Sequence, residues 1–105
     1  MAALTNRERV LEEKYIRDFE RSMKVRERRN RLLAKWAVHV LGRTDAEAYM
    51  EEVIAAGRVV AGDDDVLRKI LQDFDSAHVP ASEEKLREKM HVLLFVAAEQ
   101  LDAEE

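Results

Sequence analysis

The chain has 105 residues, no cysteine, one proline and three glycines, and 38% of it is charged against 6% aromatic. Ala, Leu, Glu, Lys and Arg dominate and turn formers are few, which argues against a β-sandwich and for one small domain of long, solvated helices with a modest core. The longest uncharged apolar run, Val92 to Ala98, is seven residues, far short of the roughly 20 that span a bilayer, and Met1 to Arg9 lacks the apolar segment of a secretory leader, so a soluble, cytoplasmic protein is expected.

In chain order, Thr5 followed by Glu8 is a capping box, where hydroxyl and carboxylate satisfy the unpaired amides at a helix start. Nothing interrupts the helix that follows until Gly42, a residue able to take the left-handed conformation that ends helices. Thr44 with Glu47 repeats the capping signature and predicts a short second helix closed by Gly57, with Val59 to Gly62 as a connector. Asp63, Asp64 and Asp65 precede the periodic residues Val66, Leu67, Ile70, Leu71 and Phe74, so they are expected to cap a third helix and favour its dipole. Pro80 stops it and Ser82 caps a fourth, in which Leu86, Met90, Leu93, Leu94, Ala97 and Leu101 recur at helical spacing. Because Val92 to Ala98 is apolar nearly all round, this fourth helix is expected at the centre of an all-α four-helix bundle.

On a helical wheel, the first helix places Leu4, Leu11, Tyr15, Phe19, Met23, Leu33, Ala37 and Val40 on one side. Arg17, Arg21, Lys24, Arg28, Arg31 and Lys35 run down the other. The apolar strip is broken by Ser22, Arg26, Arg29 and Asn30 before it resumes at Leu32 and Trp36. Residues 1–23 therefore read as a semi-independent amphipathic arm and residues 24–105 as the bundle body. The net charge of −4 conceals the same division, since residues 1–43 carry 12 basic against 6 acidic residues and the remainder 6 against 16. Arg26, Arg29 and Asn30 lie toward the apolar side and are expected to fork onto body carboxylates, with Asp63 to Asp65, Asp73 and Asp75 as candidates.

Chemistry finds little footing. His39, His78 and His91 are far apart in sequence and form no metal-binding spacing, so each reads as structural or superficial, and no cofactor is expected. The aspartate triplet lacks the alternate oxygen ligands of a calcium loop, and Gly62 before it makes no phosphate cradle. Ser22, Ser76, Ser82, Thr5 and Thr44 fall at caps or on polar faces without a histidine–acid pairing, which disfavours nucleophilic catalysis. The stripe from Arg17 to Lys35 admits three uses: a solvated face with internal ion pairs, a protein partner, or nucleic acid. Glu20 and Glu27 dilute it and no stacking aromatics are interleaved, which disfavours the last. A dimer formed through the apolar face of the arm is a further alternative.

Arg28-Arg29-Asn30-Arg31-Leu32-Leu33, Trp36-Ala37, Leu41-Gly42 and Gly62-Asp63-Asp64-Asp65-Val66-Leu67-Arg68-Lys69-Ile70 resemble the zeta-subunit family of alpha-proteobacteria, small inhibitors of the F1-ATPase. Ala46-Glu47-Ala48-Tyr49 and Leu86-Arg87-Glu88-Lys89-Met90 are similar in register, and the likeness spans nearly the whole chain. It implies a non-catalytic regulatory subunit whose N-terminal segment enters the catalytic α/β interface of F1 and blocks rotation, with the α, β and γ subunits as partners on the cytoplasmic face of the inner membrane. In the arm, Arg7, Glu8, Glu12, Lys14, Tyr15 and Asp18 follow the family pattern in register, and the amphipathic spacing adds Leu11, Phe19 and Met23 as anchors beside Tyr15. Arg28, Arg29, Asn30, Arg31 and Trp36 would join arm to body. It also raises weak nucleotide binding on the body, for which the residues show no signature. The chain departs from the family pattern at Ile16 to Met23, where a histidine is missing and basic residues enter, and at Gly57 to Ala61, which replaces an acidic, proline-containing connector.

Overall fold

A computed structural model of the chain describes residues 5–59 and 63–104. It holds four helices: α1 Asn6–Leu41, α2 Ala46–Val59, α3 Asp64–Ser76 and α4 Glu83–Glu104. The first is 36 residues long, about 54 Å at 1.5 Å per residue, and sets the 60 Å length of the molecule.

Each boundary has a local cause. At the start of α1 the Thr5 hydroxyl accepts from the Glu8 amide at 3.2 Å while the Glu8 carboxylate accepts from the Thr5 amide at 3.4 Å, which is the capping box expected from the sequence. At its end Gly42 takes φ 68°, and the amides of Gly42 and Arg43 turn back onto the carbonyls of His39 and Val38 at 3.3 and 3.1 Å. That is the six-to-one and five-to-two pairing of a Schellman turn. α3 ends in the same way without a glycine. His78 sits at φ 57°, with the His78 amide on Asp75 O at 3.0 Å and the Val79 amide on Phe74 O at 2.8 Å. The stop therefore precedes Pro80, which lies beyond a turn already closed. Ser82 caps α4 as its sequence predicts, its hydroxyl accepting from the Lys85 amide at 3.1 Å.

Three expectations need correction. α2 does not close at Gly57 but runs on to Val59, and the rest of the expected connector, residues 60–62, lies outside the described residues. Gly57 serves packing instead: a Cβ there would stand 2.7 Å from Asn30 Nδ2 and 3.2 Å from Val66 Cγ2. Only a glycine lets α2 approach α1 and α3 this closely. Nor does α2 open on Thr44. It begins at Ala46, where the Asp45 carbonyl takes the first helical bond from the Tyr49 amide at 3.0 Å, and the Asp45 carboxylate is held by Arg43.

The third correction concerns the centre of the bundle. α4 buries only Leu86, Met90 and Ala97, and leaves Val92 and Phe95 exposed. The C-terminal half of α1 is the central element, packing on α2, α3 and α4 and burying Leu33, Ala34, Ala37 and Val38. Around it gather Tyr49, Met50 and Val53 of α2 and Val66, Leu67, Ile70 and Phe74 of α3. A continuous apolar run marked α4 as central, but within that run Val92 and Phe95 face outward and only Ala97 is buried.

Two substitutions test this account by urea denaturation. Gly57→Ala forces a methyl against Asn30 and should cost about 1–3 kcal/mol, as overpacking does. His78→Gly relieves a left-handed non-glycine residue and should stabilise the protein by about 1 kcal/mol.

Candidate functional site: a projecting helix face and its buried anchor

Among the described residues, nothing buries the N-terminal half of α1, which α4 meets only at its root. Every described residue from Thr5 to Glu20 is exposed, including Leu11, Tyr15 and Phe19, and Met23 follows; Tyr15 is 74% accessible. On the wheel these four side chains continue the line of Leu33 and Ala37, which the body buries. The arm thus presents to solvent the face that α1 uses downstream as its core seam. Glu8 and Glu12 fall within this face on the wheel, Arg7, Lys14 and Asp18 lie along one edge of it, and all five are exposed.

The seam changes character at Arg29, the most N-terminal buried residue of α1 and only 2% accessible. Its Nε donates to Asn30 Oδ1 at 2.8 Å and one terminal nitrogen to Asp63 Oδ1 at 2.6 Å. Asn30, also buried, presents its amide nitrogen to the space that Gly57 leaves open. The contact joins α1, α2 and the start of α3 in one polar knot, and among the described residues no buried side-chain nitrogen or oxygen lacks a partner. Of the carboxylates expected to receive the arginines, Asp63 alone meets Arg29. It does so instead of capping α3, which has no side-chain bond at its N-cap. The hydrogen bond from Arg29 holds the Asp63 carboxyl below the usual carboxylate range, with the charges of Arg29, Arg26 and Arg87 adding to it and partial burial opposing.

The other junction residues divide. Arg28 binds Glu104 of α4 through two bonds, at 2.7 and 2.5 Å. Trp36 stacks at a tilt on Phe74, ring centroids 5.6 Å apart, with Lys89 Nζ 5.4 Å from the indole. Arg31 reaches no other helix and pairs with Glu27 one turn back at 3.4 Å, while Glu27 also accepts from Arg58 of α2 at 3.2 Å. Arg21 pairs with Asp102. Two members of the basic stripe are thereby engaged by α4.

Sequence reasoning passed over the acidic end of α4 and the surroundings of Tyr49. A helix whose last turn carries acids and no base opposes its own dipole, and that anomaly was readable as a sign that Asp102 and Glu104 face cations elsewhere. Tyr49 is fully buried, donates to Asp73 Oδ2 at 2.8 Å, and has the cations of Arg43 and Lys69 over its ring, at 4.6 and 5.1 Å from the centroid. Burial, then the Asp73 contact, raises the pKa of its hydroxyl. The histidines are dispersed: His39 lies in the last turn of α1, His78 forms a turn, and His91 meets Phe95 edge-on at 5.1 Å.

Comparison with known families turns this arrangement into an assignment. The family model for the ATPase inhibitor subunit zeta matches residues 1–100. The chain belongs to that family. A search of curated proteins finds no match. The zeta-family assignment covers the projecting helix and the bundle alike, and it makes an ATPase the partner and regulation the role. Among the described residues no helix is long and apolar enough to cross a membrane.

The Arg29–Asp63 pair gives a pH signature. A carboxyl with a depressed pKa contributes its stability in full above the ordinary carboxylate range, about pH 4, and loses it as pH falls through the lowered value. Asp63 is 41% exposed, so solvent screens the pair, and Asp63→Asn should cost about 1 kcal/mol at pH 7 rather than the several of a fully buried pair. The gap between the wild-type protein and Asp63→Asn should stay constant from pH 8 to 5 and narrow below about pH 4. Arg29→Ala removes the buried fork altogether and should cost about 3 kcal/mol. Denaturant midpoints across pH check both.

Proposed function

We propose that this protein stops ATP hydrolysis without chemistry of its own, by laying its N-terminal arm, residues 1–23, into the catalytic α/β interface of F1 and against the γ subunit. The observation that supports this is the stripe of Leu11, Tyr15, Phe19 and Met23, a preformed amphipathic face more than half exposed along its length. An amphipathic helix of this kind fits an apolar groove with anchors three and four residues apart, and its flanking charges set register. Tyr15 and Phe19 are large, rigid anchors of the sort that dominate such interfaces. Arg7, Glu8, Glu12, Lys14 and Asp18 would fix the orientation of the helix in the groove. A bound helix holds one interface in one conformation, and the rotary cycle halts by population shift.

The ion pairs of Arg21 and Arg28 with α4 reduce the case for a nucleic-acid role, since counterion release requires a stripe available to phosphates. On this reading the protein works in the cytoplasm, at the membrane face where F1 stands.

Removing residues 1–19 should leave the bundle folded, because its buried residues begin at Arg29, and should abolish inhibition of ATP hydrolysis by purified F1. Tyr15→Asp with Phe19→Asp in the full chain should raise the half-inhibitory concentration by about 30-fold or more, as loss of an interface anchor does. Full inhibition by the truncated protein would refute the arm as the inhibitory element.

A further inference from the structure

The polar knot leaves some of its donors unused. Arg29 gives Nε to Asn30 and Nη2 to Asp63, and among the described residues its Nη1 donates to nothing. Asn30 accepts through Oδ1, but its Nδ2 donates to nothing either. These two side chains are only 2% and 7% exposed, and polar groups so deep in a fold are nearly always bonded. No described side-chain nitrogen that is itself sealed from solvent lacks a partner, so Nη1 and Nδ2 open onto space that solvent reaches. That space is a cavity of about 260 Å³ between α1 and α2, lined by both residues and kept clear by the bare backbone of Gly57, where a Cβ would stand 2.7 Å from Nδ2.

The rest of the lining selects the occupant. Met23 and Ile54 supply apolar wall, while the exposed Lys24, Arg26 and Arg58 stand at the rim. With Arg29 these make four cations against two carboxylates, Glu27 and Asp63, and both carboxylates are already held, by Arg31 and Arg58 and by Arg29. Lys24 and Arg26 form no ion pair among the described residues. Surplus positive charge over idle N–H donors fits an anion. The volume lies below the roughly 300 Å³ at which small-molecule sites begin, so it suits one side chain and not a nucleotide. Met23 is at once the last residue of the arm's apolar stripe and a wall of this cavity, so a surface that covers the stripe arrives at its mouth.

We propose that the cavity between α1 and α2 receives the carboxylate of an acidic side chain of the ATPase, from the part of its surface that covers Met23. The inference rests on the arm reading above. The carboxylate oxygens accept from Arg29 Nη1 and Asn30 Nδ2, and the methylene stem lies against Met23 and Ile54. Bonds of this kind are charge-assisted and sheltered from water, so the inner contact governs how long the complex lives, while the cations at the rim govern how fast it forms.

The test uses the full chain and purified, immobilised F1. Asn30→Asp keeps the shape of the side chain and its acceptor for Arg29 but turns a carboxylate toward the incoming one, and should speed dissociation about 30-fold or more. Arg26→Gln with Arg58→Gln leaves the buried knot intact and decides the matter if Asn30→Asp lowers the urea midpoint. It should raise Kd about tenfold, chiefly through slower association, whereas Lys35→Gln with Arg68→Gln, an equal loss of charge away from the cavity, should change Kd less than about twofold. Wild-type kinetics in both cavity variants, while Tyr15→Asp with Phe19→Asp abolishes binding, overturns the cavity contact and leaves the arm reading standing. An equal effect of the Lys35 and Arg68 pair assigns the change to overall charge and overturns the proposal. Undiminished binding in the arm variant overturns the arm reading and, with it, the premise of this one. Shifts of the Asn30 side-chain amide resonances on adding inorganic phosphate or ATP without F1, with unchanged F1 kinetics in the cavity variants, assign the donors to a free anion and overturn the proposal.

Discussion

A buried guanidinium decides where this molecule is packed and where it is bare. Arg29 carries a permanent charge at 2% exposure, and such a charge persists in a core only when hydrogen-bonded and paired. Its two acceptors come from its own helix and from the residue that starts α3, so α3 must begin beside α1 and cannot slide along it. Gly57 lets α2 close over Asn30 at the same level. C-terminal to this knot the seam of α1 is Leu33, Ala34, Ala37 and Val38, buried by three helices. N-terminal to it no residue of α1 is buried. The knot is costly, because it withdraws the Asp63 side chain from the orphan amides of α3, a cap worth about 1 kcal/mol. Asp64 and Asp65 in the first turn offset part of that loss through the dipole.

The helicity of the arm follows from the same construction. A detached helix of some 15 residues is marginal in water because its first turn fixes several residues for one hydrogen bond. Here nucleation has already occurred in the packed half of α1, and the arm only propagates it, with the Thr5–Glu8 box closing the free end. The charge asymmetry of the chain serves the same purpose. The acids of the last turn of α4, unfavourable to their own helix, fasten onto Arg21 and Arg28 and extend support for α1 beyond the point where apolar packing stops.

Much of this was legible in the sequence, for identifiable reasons. Capping boxes and C-terminal glycines act within one turn, so Thr5, Gly42 and Ser82 announced their roles without tertiary information. The break in the apolar strip at Arg26, Arg29 and Asn30 was visible too, and it pointed to an arginine reaching the aspartate triplet. Sequence could not show which function wins when one residue type serves two. Gly57 reads equally as a stop or as a close approach, and only the position of Asn30 decides. Asp63 reads as a cap because caps are local, whereas the arginine that takes it lies 34 residues away. α4 was misplaced because hydrophobicity all round a helix signals burial inside the protein or burial against something else. Val92 and Phe95 stay exposed within the chain, at 55% and 61%.

That distinction bears on how deeply the arm can be inserted on the reading proposed here. From Thr5 to Met23 the helix extends about 27 Å at 1.5 Å per residue, and just at its root α4 and its Phe95 wall stand beside it. A rigid helix entering a cleft advances until the body meets the rim, so the bundle sets the depth of insertion and thereby the register in which Leu11, Tyr15 and Phe19 find their pockets. A flexible tether would leave that register to the pockets alone and would add the entropy of ordering the arm to the cost of binding. On that reading the unbroken α1, locked by Arg29 on one side of the root and by the acidic end of α4 on the other, would give the body a mechanical role: to aim a preformed helix and stop it at one depth.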